Sequence, residues 1–274
     1  MRIFLLFVFS ILLVIPVFSA TDKSSVEYLK NKKHIAILNP LAESIAQKVI
    51  KKNLQKNLGK GKYNVKFEIY TMKSLKNGIF KTLEIYGEDI NINKIPVTNI
   101  CLKNITDYNW VYIDTKDVIF KSDVLFYYEI ALSKDSINNA LEQEEYKEKI
   151  VKLNKKFSPF MEVKNLRVDI KQGTLYVIID YLLPLNSDLS LKTMVVSTDF
   201  TVENGKILPT NICLNKHSLN VSFDKILKIF NIINPLTFTL SKLNENNCKA
   251  SIKNVKIIDD ILKINGKILI NKGV

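Results

Sequence analysis

The side chains able to do acid, base or nucleophilic chemistry are few in this chain and stand far apart. There are two histidines, His34 and His217, and three cysteines, Cys101, Cys213 and Cys248. A catalytic nucleophile needs a base within hydrogen-bond reach and a third group to orient that base. No spacing here sets one up: the sequence holds no G-x-S-x-G elbow, no H-E-x-x-H helix, no Cys-x-x-Cys pair and no glycine-rich phosphate loop. Glycine occurs only 8 times, which leaves little backbone free for anion nests. The carboxylate pair Asp259-Asp260 separates two apolar runs, so it reads as a hairpin turn rather than an acid–base dyad. Three scattered cysteines and two histidines make no tetrahedral ligand set, so no metal and no other cofactor is expected. The expectation is a protein without a catalytic residue.

Large apolar side chains are abundant instead, at alternating positions of strand-like runs: Phe67, Phe80, Val111, Phe126, Tyr128, Val177 and Met194. One sheet face packed under helices accounts for most of them. The basic-aromatic segment Lys155-Lys156-Phe157-Ser158-Pro159-Phe160-Met161 fits a core less readily. Aromatics beside lysines suit an anionic lipid surface, with Lys155, Lys156, Phe157 and Phe160 as the contacts; the other reading is a loop tucked over the core.

The elements that carry these residues follow from the pattern. Asn39 suits a helix N-cap, Pro40 the first helical position, and Gly59 and Gly61 a stop. Leu41, Ile45, Val49, Ile50, Leu54 and Leu58 supply the apolar stripe of that first helix. Tyr63 to Ile69 alternate as a half-buried strand. Strands are expected at 79–86, 95–103, 110–115, 123–132, 162–170, 174–183, 189–202, 250–258 and 261–270. A second helix is expected at 135–156, capped by Ser133 or Asp135, and a short one at 223–233. Helices interleaved with antiparallel strands give an α+β fold. The sequence Thr-Asn-Ile-Cys-Leu occurs twice, at 98–102 and 210–214. It marks either two pseudo-repeated halves or chance in an Asn- and Ile-rich chain.

The first twenty residues, MRIFLLFVFSILLVIPVFSA, place one arginine before a long apolar stretch and close on Pro16 and Ser19-Ala20. This is the pattern of a secretory signal peptide, cut near Ser19 or Ala20, or of a retained N-terminal anchor. An exported protein, periplasmic or associated with the cell envelope, is expected, with a linker at 21–36 and one domain at 37–274. The formal charge is +13, yet Arg2 and Arg167 are the only arginines among 40 basic residues. Nucleic acid is therefore a poor partner. Loose attraction to an anionic membrane, at about 1 kcal/mol per basic residue near the surface, is a better one. An odd, sparse set of cysteines is no disulfide scaffold; Cys101 and Cys213 are expected as free, buried thiols, with a bridge as the alternative.

Three segments carry a resemblance to a known family. They are Ser74-Leu75-Lys76-Asn77-Gly78 before the strand to Tyr86, Asn234-Pro235-Leu236 after the short helix, and Ile252 to Ile258 leading into Leu262 to Gly266. In this order, over roughly residues 37–270, the chain resembles the LmeA-like phospholipid-binding proteins of bacterial envelopes. The resemblance implies a strongly curved antiparallel sheet wrapped on a long N-terminal helix and a second helix, in the manner of tubular lipid-binding domains. It further implies a groove for phospholipid or another envelope lipid, lined here by Ile45, Val49, Phe67, Phe80, Val111, Phe126, Tyr128 and Met194. Binding or shuttling of lipid is then the expected function, with lysines at the mouth meeting the head group. The alternative is a non-catalytic structural or adaptor protein of the envelope whose core is filled by its own side chains.

Overall fold

The computed structural model describes residues 32–59, 61–92, 94–113, 118–157, 160–184, 190–203, 206–214 and 249–272. The expected leader, His217, Cys248, the helix at 223–233 and Asn234-Pro235-Leu236 lie outside them.

The first helix, α1 (Lys32–Leu58), runs 27 residues, about 40 Å at 1.5 Å per residue. It begins well before Asn39, so that residue is not its N-cap, Pro40 lies inside it, and part of the expected linker is helical. Proline removes one backbone donor, and side chains of the same helix tie it down. Asn39 Nδ2 donates to Tyr70 O (3.3 Å), Glu43 Oε1 accepts from Ile69 N (2.9 Å), and Gln47 Nε2 donates to Phe67 O (3.3 Å). The buried row is Ala42, Ala46, Ile50, Leu54 and Leu58, a strict i, i+4 ladder. Leu41 and Ile45, expected inward, are 58% and 37% exposed. Two alanines let the helix approach its strand closely, and the stripe turns by one residue to use them.

Chain order continues with β1 (Lys62–Glu68), α2 (Met72–Lys76), β2 (Ile79–Phe80), β3 (Thr82–Ile92), β4 (Ile95–Asn104), β5 (Asn109–Ile113), β6 (Val118–Phe120) and β7 (Val124–Leu132). Then come α3 (Lys134–Leu141), α4 (Glu144–Phe157), β8 (Glu162–Lys171), β9 (Thr174–Leu182), β10 (Lys192–Glu203), β11 (Lys206–Leu214), β12 (Lys249–Ile258) and β13 (Ile261–Ile270). The single second helix of the sequence reading is thus two. Ser133 caps α3 through a capping box with Ser136, and the chain breaks at Glu142-Gln143 before α4.

Strands assemble as a six-stranded sheet, β1-β3-β4-β7-β13-β12, a four-stranded sheet, β11-β10-β9-β8, and a small sheet, β2-β5-β6. All paired strands among the described residues are antiparallel, and the sheets are open. Alternation explains each layer: Tyr63, Val65 and Phe67 of β1 point inward while Asn64 and Lys66 point out. Helix α1 covers the β1 end of the large sheet, α3 packs on β4 and β8, and β12 packs against β10 and β11. One connected cluster of buried side chains runs through both large sheets.

Turn chemistry fixes the registers. Asp259 (φ 52°) and Asp260 (φ 58°) are the two left-handed residues of the β12–β13 turn, as a tight hairpin requires. Both Thr-Asn-Ile-Cys-Leu copies form the second strand of an antiparallel hairpin, β3–β4 and β10–β11. In each, the Thr-Asn step meets an irregularity. Asn99 pairs with Glu88, next to Asp89 (φ 52°), and Asn211 (φ 50°) sits where the β10 register shifts between Ser197 and Asp199.

The two cysteines of these copies are free. Cys101 is half-buried beside Tyr86 and Glu129 on the outer sheet face, and Cys213 is exposed opposite Ser197. The expected pair of buried thiols is therefore corrected for Cys213, whose strand turns it to solvent.

Candidate functional site

Most of the residues expected to line a groove are enclosed by protein. Phe67 is 3% exposed, Phe80 1%, Val111 1%, Phe126 0%, Tyr128 7% and Met194 3%. The rings of Phe67 and Phe80 meet with centroids 5.7 Å apart, which brings β1 and the small sheet together. Tyr128 lies across Gly266 of β13, where an added Cβ would come within 2.9 Å of the phenol and 2.0 Å of Ser251 O. Burial pushes the Tyr128 phenol up to about 12, so it stays neutral and acts as apolar surface with one polar tip. Met194 stands in the four-stranded sheet, apart from these. Ile45, with Leu41 and half-buried Val49, occupies the flank of α1 turned away from the Asn39–Glu43–Gln47 row that reaches β1.

The expected membrane segment divides. Lys155 and Lys156 are exposed at the end of α4, and Phe160 is 61% exposed. Phe157, by contrast, packs against the core.

A set of apolar residues not expected as groove lining lies where the two large sheets meet. Ala250, Ile252 and Ile257 of β12, Phe200 and Val202 of β10, and Ile212 and Leu214 of β11 are all partly buried against the core. Their strands touch across a seam: β12 is the edge of the six-stranded sheet, and β10 and β11 lie against it. The β10–β11 hairpin runs past the end of its pairing with β9 at Thr198, so Phe200 and Val202 stand on a ribbon of two strands only. Lys253 and Lys256 are exposed on the same edge strand. The signal was present in the alternation of β12, interrupted by a bulge between Ile252 and Asn254. That bulge shifts the inward phase, which hides the face from a strict period-two reading.

The densest polar cluster is structural in its connections. Asp180, 8% exposed on β9, accepts from Arg167 Nη1 (2.6 Å), Thr193 Oγ1 (2.7 Å) and Asn165 Nδ2 (3.3 Å). Burial alone would raise its carboxyl, but the donors from Thr193, Arg167 and Asn165 outweigh it and hold the group below the usual carboxylate range. The four residues tie β8, β9 and β10 side by side. Among the described residues no three or more His, Cys, Asp or Glu gather as a metal site, and no helix is long and apolar enough to cross a membrane.

What this arrangement offers chemically is apolar surface, enclosed in the middle and half open at the β12 seam and the α1 flank, with lysines nearby. No family model, no curated protein and no solved structure matches the chain.

Proposed function

We propose that the protein is an exported, non-catalytic lipid binder that takes acyl chains at the seam between β12 and the β10–β11 hairpin. The observation that carries this reading is the seam itself: seven partly buried apolar side chains continuous with the core, beside two exposed lysines. Each methylene removed from water contributes about 0.8 kcal/mol, so ten of them offer about 8 kcal/mol before the cost of ordering the chain. No reacting group is needed for that, and Lys253 and Lys256 supply charge for a head-group phosphate. On this reading the helix-on-sheet layering is an open relative of the tubular arrangement, and shuttling between membranes of the envelope is the role. Organic extracts of the purified protein, read by mass spectrometry, test it. Co-purified phospholipid, and lipid uptake from vesicles lost in Ile252→Trp or Ile212→Trp protein that still folds, is the expected result. Clean protein that takes up no lipid overturns it.

A second reading has its own support. Phe67, Phe80, Val111 and Phe126 are filled around by the protein's own side chains, which favours a structural or adaptor protein. In that case the seam variants change stability and nothing else.

A further inference from the structure

Beside Asn39 of α1 the surface carries large apolar side chains that no described element covers. Tyr70 is 43% exposed, Ile105 41%, Tyr108 51% and Trp110 39%. Single exposed apolar residues are ordinary, but these gather around one turn: the Tyr70 hydroxyl donates to Asp107 O, and Ile105, Tyr108 and Trp110 lie within three residues of Asp107. Looseness of the chain is not the cause. Directly beneath, Asn104 (5% exposed) and Asn109 (0%) stitch the turn to the ends of β2 and β3. Asn104 Nδ2 donates to Lys81 O (2.9 Å) and Thr106 O (3.0 Å), and its Oδ1 accepts from Leu83 N (2.6 Å). Asn109 Nδ2 donates to Phe80 O (3.3 Å), Lys81 O (3.2 Å) and Thr106 O (3.0 Å), and Thr106 Oγ1 donates to Asn109 Oδ1 (2.5 Å). The aromatics are held out on a pinned backbone.

We infer that this cluster is the surface by which the protein docks on an anionic phospholipid bilayer. Three observations select that occupant. Tyrosine and tryptophan, each an apolar ring with a polar tip, are the side chains that suit the boundary between head groups and acyl chains. Exposed Lys73 and Lys76 on α2, which starts two residues after Tyr70, supply charge of the right sign beside them. Third, the apolar run of the first twenty residues lies upstream of α1, and α1 passes this cluster seven residues after Lys32, where Asn39 is bonded to Tyr70 O. The surface is distinct from the Lys155–Phe160 segment and from the β12 seam, and does not require that the protein carry lipid.

Trp110 is the chain's one tryptophan, so it reports on its own docking whatever else holds the protein to a membrane. The full chain is mixed with vesicles of phosphatidylcholine containing a minor share of phosphatidylglycerol. Trp110 emission is expected to move to shorter wavelength, to lose access to acrylamide, and to be quenched by lipids brominated near the head of the acyl chain. A Tyr70→Ser/Tyr108→Ser protein, which leaves Asn104, Asn109 and the fluorophore in place, should show that emission change only at about tenfold higher lipid, the loss expected for two half-buried aromatic rings. Protein that sediments with vesicles while Trp110 stays open to acrylamide overturns the inference, and so does protein that ignores the vesicles. Failure of lipid carriage is read separately, from organic extracts: docking without carried lipid sinks only the carrier, and carried lipid without docking sinks only this surface.

Discussion

Removing the two buried asparagines under the Tyr70–Trp110 surface, singly and together, gives a sharp test of how that surface is built. In Asn104→Ala the lost partners are unequal. Leu83 N–H is stranded inside the protein, at roughly 1–3 kcal/mol for an unsatisfied buried donor, while Lys81 O and Thr106 O keep Asn109 Nδ2 at 3.2 and 3.0 Å. In Asn109→Ala the Thr106 hydroxyl loses its acceptor and Phe80 O loses its side-chain donor, while the same two carbonyls keep Asn104 Nδ2. Each single change should therefore cost about 2 kcal/mol. The double variant removes both amides at once and strands Lys81 O and Thr106 O as well. It should exceed the sum of the singles by about 1–2 kcal/mol, a coupling produced by shared acceptors rather than by contact between the mutated residues. Urea unfolding followed by far-ultraviolet circular dichroism measures all four proteins, with equal m-values as the condition for comparison. Additivity within about 0.5 kcal/mol refutes the reasoning, because the carbonyls must then find other partners as soon as one amide is gone.

Glycine substitutions separate steric need from conformational need. At Gly78 (φ 76°) an added Cβ would stand 1.7 Å from Val111 O, so Gly78→Ala should cost more than about 3 kcal/mol; Gly173 (φ 75°) has nothing within 4 Å and Gly173→Ala should cost about 1 kcal/mol, both read by chemical denaturation. Asp180 titrates below its ordinary range in the folded protein. Its ion pair thus adds stability above the unfolded value near pH 3.9, lost as pH falls through the depressed folded value. Asp180→Asn should therefore flatten that acid limb of a stability–pH profile, and an unchanged slope would count against it. Burial first, then Glu129 and Glu84, push the Cys101 thiol up, whereas Cys213 is exposed. Peptide mapping after brief maleimide treatment near neutral pH should find Cys213 labelled well before Cys101, and the reverse order would sink that account.

How much of this was legible beforehand depends on whether local pattern or tertiary contact decides the outcome. The β12–β13 hairpin was readable because apolar runs flank Asp259-Asp260, which tolerate left-handed backbone at the turn. The Ser133 cap was readable for the same local reason, its hydroxyl accepting from Ser136 N. The phase of α1 was readable only in its second half, where Ile50, Leu54 and Leu58 are buried as expected. A hydrophobicity count sees Leu41, Ile45 and Val49 as the stronger stripe, yet the buried face is Ala42, Ala46, Ile50, Leu54 and Leu58. What decides it is the partner: Glu43 and Gln47 must reach β1 backbone, and alanine lets the helix settle against that strand.

The same reasoning bears on where function sits. Side chains chosen from the sequence for size and alternation, such as Phe67 and Phe126, are those a folding chain buries first, because they remove most area from water. A binding surface must be made from what is left partly uncovered, and that depends on which strands meet edge to edge and where a hairpin outruns its neighbours. Phe200 and Val202 beyond the end of β9, Ile252 beside a bulge, and Trp110 next to a fully buried Asn109 are products of such junctions. Periodicity places a residue on a face of its own strand. Only the assembled sheets decide whether that face is covered.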